Sequence, residues 1–121
     1  MIQKLQRPSS YPTAGSSLES KTAACVSEFM NAGTSLHKLH LKVTGMGSFA
    51  AHKALNEIYD AFPGHADDLA EGFQGASEKL LTYKEAAPRT LNTVAEAIDY
   101  LKEMSEMVTG LQAKMPYSEI V

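Results

Sequence analysis

The chain has 121 residues, enough for one small domain with a real core. Hydrophobic residues make up 44% and charged residues 21%, an ordinary globular mix, and a formal net charge of -3 gives no general attraction to nucleic acid or acidic membranes. The single cysteine, Cys25, rules out an internal disulfide, no apolar run reaches membrane-spanning length, and the N-terminus lacks the apolar core of a secretory signal, so a cytoplasmic location is expected.

Residues 1–15 hold Pro8, Pro12, Ser9, Ser10 and Gly15 with no periodicity, which predicts an irregular arm. Lys4 and Arg7 make it weakly basic, too few charges for a phosphate-binding tail. Residues 16–121 form the predicted helical domain. A first helix starts at Ser16 or Ser17, where Ser16 and Glu19 have the spacing of a capping box. Leu18, Thr22, Cys25, Phe29, Ala32, Leu36, Leu39 and Val43 then alternate at four and three, the seam of a helix bundle. Gly33 interrupts good helix formers where a neighbouring helix could come close. Cys25 lies in the seam and reads as core.

Thr44-Gly45-Met46-Gly47-Ser48 is a break, with Ser48 as the expected N-cap of a second helix. Pro63-Gly64 should kink that helix or split it, and the helical pattern continues to about residue 82. A loop is expected over 84–88. A third helix is expected from about Thr90 to Lys114, burying Leu91, Val94, Ile98, Leu101, Met104, Val108 and Leu111. Met104, Met107 and Met115 read as adaptable core filler. After Pro116, Tyr117-Ser118-Glu119-Ile120-Val121 reads as the opening of a fourth helix. With three long helices, the groove between the first and third should stay open until a fourth helix or a partner covers it.

The candidate chemistry lies between Leu36 and Glu71. His40 and His52 flank the glycine break, and two helices hinged there bring their imidazoles together. Asp67 and Glu71 are four apart and share a helix face. Two imidazoles with two carboxylates suit a first-row metal such as iron. Each residue also has a plainer role: the histidines as groups bonded to backbone or to each other, the carboxylates as a solvated face with Asp68. His37 and His65 read as surface residues or neighbours of the metal ligands.

The order and spacing of His40, Gly45, Phe49, His52, Asp67 and Glu71 resemble the mini-ferritins of the Dps family (DNA-binding proteins from starved cells), over about a quarter of the chain. Ala70-Glu71-Gly72-Phe73-Gln74-Gly75 resembles more closely a divergent group of ferritin-like proteins of tailed bacteriophages. The resemblance implies an all-α ferritin-like bundle and a ferroxidase site between subunits, with His40, His52, Asp67 and Glu71 as metal ligands and no separate catalytic residue. It implies iron as the metal and a homo-oligomer, at least a dimer and up to a dodecameric shell. The chain departs from the family in several places. Asn56, an auxiliary ligand through its carbonyl but without charge, stands where the family has an aspartate, Leu41 where it has a tryptophan, and the lysine-rich tail is missing. Pro63-Gly64 falls in a helix that is normally continuous, and three helices are seen instead of four.

His52 and Asp67 are fifteen residues apart, roughly 22 Å along a helix. One chain therefore cannot place all four ligands on one metal, whereas a two-fold pair of antiparallel second helices can, giving two equivalent sites. The alternative is a helical building block of a larger assembly, such as a phage particle, that keeps the fold without the chemistry. In that case the protein resides in the host cytoplasm or the virion. A pure DNA-binding role ranks third, on charge.

Overall fold

Ser17 opens the first helix, accepting a 3.0 Å hydrogen bond from the Ser20 N–H on its side chain. The computed structural model describes residues 17–116. The proposed Ser16–Glu19 capping box, the arm and the helix opening after Pro116 therefore lie outside the described residues. Helix α1 runs Leu18–His40, with Glu19 in its first turn and His37, Lys38 and His40 in its last, the charge order that suits the helix dipole. Thr22, Cys25, Val26, Ala32, Leu36 and Leu39 are fully buried, so the expected seam forms the core.

Gly45 and Gly47 turn the chain with φ of 90° and 80°, a left-handed backbone that side chains rarely adopt. Gly47, not Ser48, is the N-cap of the next helix, and Ser48 is its first residue. Helix α2 runs Ser48–Ser77 without interruption, so Pro63-Gly64 does not split it. Pro63 cannot donate to the Tyr59 carbonyl, and Gly33 of α1 stands opposite this point. A Cβ on Gly33 would lie 3.6 Å from Phe62 Cβ, 3.7 Å from Tyr59 O and 3.8 Å from Pro63 Cδ. The proline turn of α2 thus lies directly against a glycine on α1.

The pairs His40–His52, Phe29–Phe62 and Phe29–His65 run in opposite sequence order, so α1 and α2 are antiparallel. A second core cluster of Ala23, Val26, Ala66 and Phe73 closes the far end. Helix α2 ends at Ser77, five residues before the expected limit near 82, and Glu78 caps it in left-handed conformation with φ of 60°.

The connection from Glu78 to Thr93 is longer than the expected loop at 84–88, and side chains of α1 tie it down. Asn31 Nδ2 donates to Ala86 O at 2.9 Å and Ser35 Oγ to Arg89 O at 2.6 Å. Leu81 and Leu91 are buried. The segment climbs along α1, and helix α3 (Val94–Gln112) returns antiparallel to it. Thr93, not Thr90, is the cap: its hydroxyl accepts from Glu96 N at 3.1 Å, and Glu96 Oε1 accepts from Asn92 N at 2.7 Å.

Helices α2 and α3 both pack on α1, and the long crossover between them is a known variant of helix bundles. The face of α3 turned to α1 is Ala97, Tyr100, Met104 and Leu111. This corrects the expected stripe: Val94 and Ile98 are 39% and 49% exposed, and Leu101 and Val108 are half-buried. The stripe is rotated because Tyr100 takes the inward position and donates its hydroxyl to the buried Glu28 carboxylate. A groove of about 290 Å³ opens between α1 and α3, as expected, lined by Lys21, Ala24, Met107 and Leu111, and a second of about 250 Å³ opens between α2 and α3, floored by Cys25 and Phe29. Among the described residues no helix is long and apolar enough to cross a membrane.

Candidate metal centre

The end of α1 and the start of α2 meet through two histidines. The rings of His40 and His52 stack at 3.5 Å between centroids, with 27° between planes. His40 Nδ1 lies 2.8 Å from the His52 carbonyl, and His52 Nδ1 lies 3.1 Å from the His40 carbonyl. A carbonyl can only accept, so each Nδ1 carries the proton and donates. In this tautomer each ring keeps the Nε2 lone pair, the nitrogen a metal would take. The plainer expectation of histidines bonded to backbone describes the same contacts. They are compatible with ligation, because metal-bound histidines commonly donate their other nitrogen to a carbonyl.

The glycine turn produces this pairing: Ser48 N donates to Gly45 O at 3.0 Å, and α2 starts within a few residues of the end of α1. His40 is buried and His52 exposed, so the pair opens to the surface. Leu41, Met46 and Phe49, in and beside the turn between the two histidines, are 71%, 105% and 79% exposed. His37 does more than sit on the surface: it stacks flat on Tyr59 at 4.0 Å, while the Tyr59 ring meets His40 edge-on at 5.2 Å. The Tyr59 hydroxyl donates to Asn56 Oδ1 at 2.7 Å. His65 is elsewhere, edge-on to Phe29 and Phe62.

Asp67 and Glu71 lie exposed on the far half of α2. The helix between them and His52 is continuous, which leaves the roughly 22 Å separation in place. The fold brings the two histidines together and keeps the two carboxylates apart from them. Among the described residues, no group of three or more histidines, cysteines, aspartates and glutamates is close enough to hold a metal. The chain alone therefore offers two nitrogen donors, which fits a first-row metal only if oxygen donors come from elsewhere.

Sequence reasoning missed a second polar cluster. Glu28 of α1 is buried and accepts from the Tyr100 hydroxyl. The Arg89 guanidinium lies 4.5 Å over the Tyr100 ring and 3.0 Å from Glu103 Oε1. The signal was present: Glu28 falls between Cys25 and Ala32, inside the apolar seam. Burial, with a smaller contribution from the Glu28 carboxylate, pushes the Cys25 thiol from its ordinary 9.0 up to about 12. Cys25 is thus an inert core residue, not a nucleophile.

No family model matches the chain, and no solved structure gives a significant match. Over 86 residues, 71% of this chain, it is 31% identical to a DNA protection during starvation protein of Helicobacter pylori strain J99. The alignment covers 53% of that protein, so the chain spans about half the length of the curated relative it matches. The comparison carries the Dps part of the resemblance and not the bacteriophage part. The three-helix all-α bundle and this likeness together support a ferritin-like fold and a Dps-like relationship.

Proposed function

We propose that the protein is a homo-oligomeric iron-binding bundle whose metal sites lie between subunits. In each site His40 and His52 of one chain supply nitrogen, and Asp67 and Glu71 of a second chain supply oxygen and negative charge. Antiparallel pairing of two α2 helices about a two-fold axis creates two such sites per dimer. Glu71 would supply carboxylate oxygen to the iron, and Asp67 would add charge and orient the ligands. Two Fe(II) ions, each losing one electron, would reduce one hydrogen peroxide with two protons to two waters (four Fe(II) and four protons for one dioxygen), and the Fe(III) would accumulate within a larger shell.

The observation that carries this reading is the reciprocal His40–His52 pairing, which fixes both Nδ1 atoms and leaves both Nε2 atoms for ligation. The relative's name describes DNA protection. For this chain a net charge of -3 argues for protection through iron chemistry over binding of phosphates. The test is anaerobic Fe(II) titration followed by dioxygen or peroxide, read by absorbance. Saturable uptake near one Fe(II) per chain, then oxidation faster than in buffer, is expected; no uptake would end the reading.

The exposed Val94 and Ile98 at the start of α3 favour a second reading, an assembly component that docks a partner on α3. Such a protein would show no saturable iron uptake.

A further inference from the structure

Helices α2 and α3 run in the same direction, both antiparallel to α1, and each packs on α1 while scarcely touching the other. On each, a second seam lies about a quarter-turn round from the one that meets α1. On α3 it is Val94, Ile98, Leu101, Ser105, Val108 and Gln112, alternately four and three apart. On α2 it is Ala51, Ala54, Ile58, Ala61, His65 and Leu69. His65, Leu69, Val108 and Gln112 line one groove, so the two seams face the same corner. Neither seam holds a carboxylate, lysine or arginine. Val94, Ile98, Ala54 and Ala61 are exposed, and Ile58, Leu101 and Val108 are half-buried. The three helices thus occupy three corners of a square, and the fourth is open.

The corner specifies what fits it. From Val94 to Gln112 it runs roughly 27 Å, five turns of helix. The α2 wall is mostly alanine and the α3 wall is bulky. A helix at the usual spacing of about 10 Å therefore needs large side chains toward α2 and small ones toward α3. The rims differ in sign: Glu57 and Asp68 stand beside the α2 seam and Lys102 beside the α3 seam. The occupant's complementary flanks are basic over α2 and acidic over α3. A second copy offers no such helix among the described residues. Helix α1 uses its seams on α2 and α3, and those two have one free seam each, whereas the occupant needs two. Pro8 and Pro12 interrupt residues 1–16, and 117–121 are too few for five turns.

We propose that the corner between α2 and α3 docks an amphipathic helix of a partner polypeptide, laying an uncharged stripe against both seams. The inference rests on the docking reading of α3 and not on iron. Asp67 and Glu71 lie on another face of α2, which the docked helix leaves open.

The probe is a synthetic helical peptide of about 18 residues, with leucines for the α2 wall, alanines for the α3 wall, and a lysine and a glutamate flank. Calorimetry with the full chain should show one peptide bound at micromolar affinity. Ile98→Glu and Ala61→Leu should each weaken it about tenfold or more, by placing a charge in one seam and filling the other. Asp99→Ala, on the opposite side of α3, should leave it unchanged. Both altered seam positions are exposed, so helicity should stay at the wild-type level by circular dichroism. No binding, or binding indifferent to both seam variants, would overturn the proposal. Loss with Ile98→Glu alone would overturn the corner and leave docking on α3. A self-association of the chain that excludes the peptide and dissolves with Ile98→Glu would make a second copy the occupant and overturn it as well.

Discussion

His40 and His52 each donate Nδ1–H to the other's backbone carbonyl, at 2.8 Å and 3.1 Å, so the last residue of α1 and the first turns of α2 are cross-bonded. The pair is structural before it is chemical. It closes the Gly45–Gly47 turn and fixes the rings that would hold a metal.

His52→Ala removes one of these bonds and the ring stack while leaving the His52 carbonyl for His40. The expected cost is about 1–2 kcal/mol. Urea unfolding should show a lower midpoint at unchanged slope, with helicity intact by circular dichroism.

Tyr100→Phe leaves the buried Glu28 carboxylate without the hydroxyl that donates to it. A loss of about 1–3 kcal/mol is expected. Since Tyr100 also carries the Arg89 guanidinium on its ring, a contact phenylalanine keeps, Tyr100→Leu should cost more. Equal midpoints for wild type and Tyr100→Phe in urea would show that the bond adds nothing.

Cys25 gives stability a pH dependence at the alkaline end. Above the ordinary thiol value of 9.0 the unfolded thiol ionises, while the folded thiol stays protonated to about 12. The folded state holds the extra proton in that window, so stability falls as pH rises, by up to ~1.4 kcal/mol per unit. Cys25→Ala should lack this part of the slope. Comparing the two chains in urea between pH 8 and 10.5 checks it, and native Cys25 should resist thiol reagents that modify the unfolded chain at once.

Gly33→Ala should stabilise the protein by about 0.5–1 kcal/mol, because the new methyl meets Phe62, Tyr59 and Pro63 at ordinary contact distances of 3.6 to 3.8 Å. A fall in the thermal midpoint would mean that the α1–α2 approach at Pro63 is tighter than these distances indicate.

Much of this architecture was legible in local patterns. The four-and-three spacing from Leu18 to Leu39 marked α1, and the glycines at 45 and 47 marked the turn that joins His40 to His52. The parts that were not legible depend on distant partners. Pro63 left open whether α2 is one bent helix or two, because nothing local shows that Gly33 stands opposite it on α1. The rotation of α3 depends on Tyr100 reaching Glu28 across 72 residues, which helical periodicity does not register. The loop before α3 was read as short because its anchors, Asn31 and Ser35, lie on α1. The start of α3 was readable from Thr93 and Glu96 at capping-box spacing, a better signal than Thr90. Asp67 and Glu71 were placed on one helix face, and the continuous α2 keeps them remote from the histidines of the same chain.

The central claim is that histidines of one chain and carboxylates of another make the metal centre, and subunit complementation tests it most directly. His52→Ala and Glu71→Ala each damage both sites of a homodimer. In a mixed dimer, one site carries both lesions and the other carries none. Neither variant alone should bind Fe(II) anaerobically at wild-type affinity. After joint unfolding and refolding of an equal mixture, about a quarter of the sites should return with wild-type affinity, the share expected from random pairing. A mixture that binds no more Fe(II) than its separate components would contradict a site shared between chains.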